Sequence, residues 1–353
     1  MFSLSDELRA VAEDKELPWD DLDGKSILIT GATGLIGSLV ARTLLERNRV
    51  CHVGTSISVC VRNADKARNG FAGYDEADGL RIVEQDLASF DPNVRCDAIV
   101  HAGCPTNSGF FVSNPVETMD AIVGGTRRVL QYAHDCAATH IVYVSSMEVY
   151  GSGNSHPGLD HLLNEDSVGY VNPVNVRSCY PEGKRAAEAY CAAYASEYGL
   201  RVSTIRLAQT FGPGIDLHDK RLFAQIARAA MSGEDLVLKT TGQSSRMYLY
   251  TTDAVRAILM VLAKGNPGQA YNAANPSTYT SIYTMAQQVL EAYSNGRSKL
   301  VVDIDPDAPY PPEHHLPLDI SELRNLGWEP RINLLEMYGR LIEYLASSHS
   351  ATN

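Results

Sequence analysis

Tyr180-Pro181-Glu182-Gly183-Lys184 places a phenol and an ammonium four residues apart, the spacing that brings two side chains onto one helix face. An unperturbed tyrosine titrates near 10, too high for a base at neutral pH. A neighbouring ammonium favours the phenolate and pulls that value down, as abstraction of a hydroxyl proton requires. Upstream, Ser145-Ser146-Met147-Glu148-Val149-Tyr150-Gly151 follows an apolar run with strand character. Strands of open α/β sheets deliver their carboxyl ends to the ligand crevice. Ser146, delivered there, can hydrogen-bond the same hydroxyl that Tyr180 deprotonates.

A second constellation holds rather than reacts. Gly31-Ala32-Thr33-Gly34-Leu35-Ile36-Gly37 lies between a strand pattern and a helical one. In that setting the first glycine permits a sharp turn and the middle one lets backbone N–H groups approach a pyrophosphate. The third permits close packing of helix on strand, and the helix N-terminus adds partial positive charge. The expected cofactor contacts are Gly31, Thr33, Gly34, Leu35, Ile36 and Gly37. An acid normally closes the second strand and bonds the ribose 2′-hydroxyl of NAD. Here Arg62-Asn63 stands in its place with Lys66 nearby, so a 2′-phosphate is admitted. NAD and NADP both remain open, with Arg62 tilting toward NADP unless it stacks on adenine or faces solvent.

These groups need a scaffold. The apolar runs at 26–30, 57–61, 80–83, 97–102, 140–144 and 202–207 show little polar alternation, and helical periodicity at 35–47, 115–133 and 182–198 separates several of them. Such strands belong to a parallel sheet covered on both faces. The fold expected is α/β, a doubly wound parallel sheet of Rossmann type with a smaller C-terminal substrate domain. An amphipathic helical extension is expected over 1–23 and a dinucleotide-binding domain over 24–207. Residues 246–268 return to that domain as a final core element, and 208–245 with 269–350 form the substrate-binding domain.

Composition bounds the function. The chain has 353 residues, 44% of them hydrophobic, and 42 acids against 30 bases leave a net charge of −12. No basic cluster offers the counterion release that nucleic acid or an anionic membrane would need. Seven scattered cysteines with no C-x-x-C pair read as buried reduced thiols, and no His/Cys cluster has metal spacing. With no signal-peptide pattern at the start and no 18-residue apolar run, a cytoplasmic protein without a membrane partner is expected.

Taken in order, these pieces resemble the extended short-chain dehydrogenase/reductase family, the NAD-dependent epimerases and dehydratases of nucleotide sugars. The resemblance spans 25–345 and includes Asp86-Leu87, His101-Ala102-Gly103, Phe211-Gly212-Pro213, Asp253-Ala254-Val255 and Leu326-Gly327-Trp328-Glu329-Pro330. It implies that Asp86 and Leu87 contact adenine, that His101, Ala102 and Gly103 line the cofactor, and that Lys184 holds the nicotinamide ribose. It also implies a tightly bound NAD or NADP that takes a hydride from a sugar carbon and returns it, with Tyr180 as base. A homodimer is implied too, with Leu130, Ala133, Tyr190 and Tyr194 on helices of the kind that form its seam.

The resemblance extends to the substrate side. Glu148 is similar to a glutamate shared by 4,6-dehydratases and UDP-glucuronate decarboxylases, where it would serve as a second acid/base. Met147 replaces the aspartate of the dehydratases and cannot donate a proton, which weakens that reading. Arg177 precedes the tyrosine as in decarboxylase-type segments and can meet a sugar carboxylate. Gln209 stands where those enzymes carry an asparagine against the substrate diphosphate, and Arg246 matches the family's diphosphate-binding arginine. The leading expectation is therefore an NAD(P)-dependent nucleotide-sugar epimerase/dehydratase acting through a transient keto-sugar. UDP-glucuronate decarboxylase is one alternative and a non-catalytic NAD(P)-binding sensor another. Ser146, Tyr180 and Lys184 together argue against the sensor, which has no use for a phenolate.

Overall fold

Ile27, Leu28, Ile29, Ile57, Val59, Ile99, Val100, Val142, Val202 and Ile205 are all nearly inaccessible to solvent. Consecutive strand residues point to opposite faces, so burial of both parities means that both faces of the sheet are covered. The structure, a computed structural model, describes residues 3–154, 156–305 and 313–352. Its first half runs α1 (Leu4–Ala12), β1 (Ser26–Thr30), α2 (Leu35–Cys51), β2 (Ser56–Val61), α3 (Ala64–Gly70), β3 (Leu80–Glu84) and β4 (Ala98–His101). Then follow α4 (Ser108–Ser113), α5 (Pro115–Met119), α6 (Gly125–Asp135), β5 (His140–Ser146), α7 (Cys179–Tyr198) and β6 (Val202–Leu207). Beyond these lie β7 (Gln209–Phe211), α8 (Leu222–Ser232), β8 (Leu236–Leu238), β9 (Ser245–Tyr250), α9 (Thr251–Lys264), β10 (Ala270–Ala273) and β11 (Asn275–Ser281). The last elements are α10 (Ile282–Tyr293), β12 (Leu300–Val302), β13 (His315–Leu316), α11 (Ser321–Asn325) and α12 (Leu334–Thr352).

Seven strands form one parallel sheet in the order β10-β6-β5-β4-β1-β2-β3. The order reverses between β1 and β4, and the loops leaving these two strands diverge to open the crevice where doubly wound sheets bind ligands. The glycine loop leaves β1 there. A smaller sheet, β11-β9-β13 with β7 also on β9, packs with α8, α10 and α12 around a second core that includes Phe211, Phe223 and Tyr338.

The structure departs from the sequence pattern in four places. Residues 246–264 form two elements, β9 in the small sheet and α9 in the main core. Residues 270–273, assigned above to the substrate domain, pair with β6 and extend the main sheet. The helix expected over 115–133 is interrupted by a π-helical turn at Asp120–Gly124. Leu130 and Ala133, expected at a dimer seam, are buried against the chain's own sheet and α7, and Tyr194 is buried with them. Residues 309–312 lie outside the described residues, while His315 is buried and pairs with β9.

Within the N-terminal segment, α1 buries Leu8, Val11 and Ala12. Asp14 then reaches Arg256 of α9 at 2.7 Å and Arg331 at 2.9 Å. The segment thereby joins α9 to the chain just before α12.

Candidate active site

The C-terminal end of β5 presents Ser146, whose Oγ accepts the backbone N–H of Glu148 at 3.2 Å. That leaves the hydroxyl proton of Ser146 free to donate. Across from it, α7 begins at Cys179, earlier than the periodicity indicated, so Tyr180 sits in its first turn. Pro181 is tolerated because first-turn N–H groups have no intrahelical acceptor. Ser146 stands next to Tyr180, where its hydroxyl acts as a hydrogen-bonding neighbour that lowers the phenol's pKa. Lys184, one turn on and 1% exposed, donates to the Val144 carbonyl at 2.7 Å. Its Nζ lies 4.7 Å from the centre of the Tyr143 ring and 5.9 Å from that of Tyr180.

Burial decides the state of the phenol. It pushes Tyr180 well above the ordinary tyrosine value, and Cys104 and Glu148 add to the rise, while the Ser146 hydrogen bond and Arg177 pull downward. The Tyr180 ring is also stacked on Phe111, centroids 4.3 Å apart. The lowering expected from Lys184 is thus outweighed by desolvation. Phe111, Cys104 and Tyr143 had no motif to mark them; all three come from segments remote from Tyr180 in sequence.

Glu148 and Arg177 form one unit. Arg177 donates from Nη1 at 2.8 Å and from Nη2 at 3.2 Å to the two carboxylate oxygens. Both are about one-third exposed and stand beside Tyr180. Met147, which stands where the dehydratases carry an aspartate at the substrate, is 4% exposed and belongs to the main core.

The glycine loop is built as a cradle. Gly31 has φ +70°, and a Cβ there would lie 2.6 Å from the Ala102 carbonyl oxygen; one on Gly37 would lie 2.5 Å from the Gly31 oxygen. Thr33 and Gly34 are exposed at the tip, with Leu35 and Ile36 half-buried behind them. α2 runs 17 residues from Gly34 with no side-chain cap and no acid in its first turn, so its leading N–H groups stay available to an anion. Gly31→Ala is expected to cut bound dinucleotide at least tenfold. Gly54→Ala is the control, since Gly54 also has positive φ (+72°) but nothing within 4 Å of its Cβ position. Chromatography of nucleotide released from each purified variant decides it, and wild-type retention by Gly31→Ala would refute the cradle.

His101, expected at the cofactor, has both ring nitrogens engaged within the fold. Its Nδ1 lies 2.7 Å from Thr30 Oγ1 and its Nε2 3.0 Å from Thr126 Oγ1. Burial, with Lys184 adding, lowers its pKa to about 3. The neutral ring is therefore a strut between β1, β4 and α6. Thr30 also accepts the Gly103 N–H at 3.2 Å, so Ala102 and Gly103 are held against Gly31. Leu87 packs toward Gly103 and Gly125, where Cβ atoms would come within 2.9 Å and 3.2 Å of its side chain. Asp86 caps the short turn that Leu87 begins, accepting the Ala88 N–H at 2.8 Å. Arg62 is exposed at the end of β2 with no ion pair among the described residues. On the small sheet, Gln209 of β7 is paired with Tyr248 of β9. Arg246 of β9 lies 3.2 Å from His314, and its buried Nε has no hydrogen-bond partner among the described residues.

Residues 27–274 match the NAD dependent epimerase/dehydratase family. The chain belongs to this family. It is 30% identical over 336 residues to UDP-glucuronic acid decarboxylase 1 of Danio rerio, covering 94% of this chain and 75% of the fish protein. It is 32% identical over 314 residues to UDP-glucuronic acid decarboxylase 6 of Arabidopsis thaliana, covering 88% and 85%. The structure of the dTDP-glucose 4,6-dehydratase of Streptomyces venezuelae with NAD bound superimposes with a TM-score of 0.74 at 25% identity, covering 92% of this chain and 98% of that one. No helix among the described residues is long and apolar enough to cross a membrane.

Proposed function

We propose that this family member oxidises a hydroxyl of a nucleotide-linked sugar to a transient ketone and later reduces it, the ketone rearranging in between. The observation that carries the reading is the clustering of Ser146, Tyr180 and Lys184, with the Lys184 Nζ 5.9 Å from the Tyr180 ring centre, at the sheet edge from which the glycine cradle opens. NAD bound there supplies a reversible hydride acceptor. Gly31, Gly34 and the first N–H groups of α2 would hold its pyrophosphate, and Lys184 its nicotinamide ribose. Tyr180 Oη takes the hydroxyl proton, and Ser146 Oγ orients that hydroxyl by donating to it. Arg246, with its unpaired Nε, and the Gln209 amide meet the diphosphate. A homodimer in the cytoplasm that retains its cofactor through purification is part of the same reading.

The ketone acidifies adjacent C–H bonds or, on a uronate, permits loss of carbon dioxide. Decarboxylation is the second reading, favoured by the Arg177–Glu148 pair beside Tyr180 and by the sequence relatives. Mass spectrometry of products from UDP-, dTDP-, GDP- and CDP-sugars, UDP-glucuronate included, separates the outcomes. Loss of carbon dioxide identifies a decarboxylase and loss of water a dehydratase; unchanged mass with altered retention identifies an epimerase. No product from any sugar, with dinucleotide bound, would favour the sensor.

The tilt toward NADP rests on Arg62. Arg62→Asp is expected to weaken NADP relative to NAD by tenfold or more, because it exchanges a partner for the 2′-phosphate for one that accepts from the 2′-hydroxyl. Fluorescence titration of cofactor-stripped protein measures both affinities. An equal change in the two would place Arg62 away from the ribose.

A further inference from the structure

At the opposite edge of the sheet, the sulfurs of Cys96 and Cys136 lie 3.8 Å apart although 40 residues separate them in sequence. Cys96 is 2% exposed and ends the irregular stretch that leads into β4. Cys136 follows the last residue of α6 and is half-buried. It lines an open pocket of about 690 Å³ together with Arg95, Arg128, Tyr132 and Asp135. The two thiols therefore differ in access: one can be reached from solvent, and the other lies directly behind it. Hydrogen bonds from the Cys96 thiol and from the Ala138 backbone hold the Cys136 thiol below its ordinary value. Asp135 and the helix-end carbonyls, including that of Ala133 at 3.7 Å, oppose the charge.

We propose that Cys96 and Cys136 are a redox-active dithiol that a low-molecular-weight disulfide converts to an internal cross-link. The Cys136 thiolate attacks one sulfur of that disulfide, forming a mixed disulfide and expelling one thiolate. Cys96 then attacks the Cys136 sulfur, forming the Cys96–Cys136 bond, and its proton passes to the departing thiolate, which leaves as the second thiol. Two protein thiols are oxidised and one disulfide is reduced to two thiols. The sulfurs must close to about 2.0 Å; the Cys136 side chain at the end of α6 makes that movement, because the stretch before β4 is tied to Tyr132 through Val94 at 3.1 Å and to Ser26 through Asp97 at 2.7 Å. The cross-link would tie the start of β4 to the end of α6, away from Tyr180 at the carboxyl edge.

The test treats the reduced full-length protein with glutathione disulfide, quenches in acid, alkylates the remaining thiols and maps the peptides by mass. A Cys96–Cys136 cross-linked peptide is expected, with Cys51, Cys60, Cys104, Cys179 and Cys191 alkylated. In Cys96→Ser the reaction should stop at glutathione on Cys136, and in Cys136→Ser Cys96 should stay reduced. Alkylation of Cys96 and Cys136 to the same extent as the other five would overturn the proposal. So would a glutathione adduct persisting on Cys136 in the wild type. The wild-type map decides the matter even if a variant misfolds, and it is independent of the activity proposed above.

Discussion

Tyr180→Phe is expected to lower turnover by about 10²–10⁴-fold, the usual range for a positioned general acid or base, while leaving bound dinucleotide unchanged. The substitution removes one oxygen and keeps the ring that stacks on Phe111, so the site's packing survives. The pH profile carries a second signature. Burial holds the phenol above its ordinary value and the Ser146 hydrogen bond draws it down, so wild-type turnover should rise as pH increases toward the phenol's apparent pKa. Tyr180→Phe should lose that rise. A variant that keeps both wild-type turnover and the rising limb would show that Tyr180 is not the base, and indifference to the change is what a dinucleotide sensor predicts.

The parts of the site that were legible are those whose chemistry is local in the chain. A glycine cradle is contiguous, and a Tyr/Lys pair one helical turn apart declares a shared face wherever the helix lies. Partners from separate segments were not legible as partners. Glu148 and Arg177 were each singled out, but their bidentate pairing depends on how the turn after β5 approaches the start of α7. Phe111 stacks on Tyr180 from a short helix after β4 and carried no motif. His101 entered through the resemblance, and its role within the fold was not legible. Thr30 and Thr126 satisfy both its ring nitrogens, and a buried imidazole so satisfied has no reason to titrate. In the fold, the long central strands were legible from unbroken apolar runs. β10 was not, because a four-residue edge strand containing Asn272 resembles the loops around it.

Glu148→Gln is expected to cost about 10²-fold or more in turnover if Glu148 moves a proton, and the geometry makes that loss readable. Both Glu148 and Arg177 are about one-third exposed, so their pair contributes only about 0–1 kcal/mol to stability. Neither substitution should unfold the protein, and melting midpoints close to wild type would show that a lost activity is chemical. Glu148 also raises the Tyr180 pKa through its charge. Neutralising it stabilises the phenolate, so the rising limb of the pH profile should move to lower pH, whether or not Glu148 itself moves a proton. Arg177→Met separates the two readings of the pair. If Arg177 receives a substrate carboxylate, KM for a uronate-bearing sugar nucleotide should rise at least tenfold while KM for its neutral counterpart stays near wild type. Equal rises for both, or a fall in kcat with KM unchanged, would mean that Arg177 positions Glu148 and meets no carboxylate. The uronate reading would then lose the residue that most favours it.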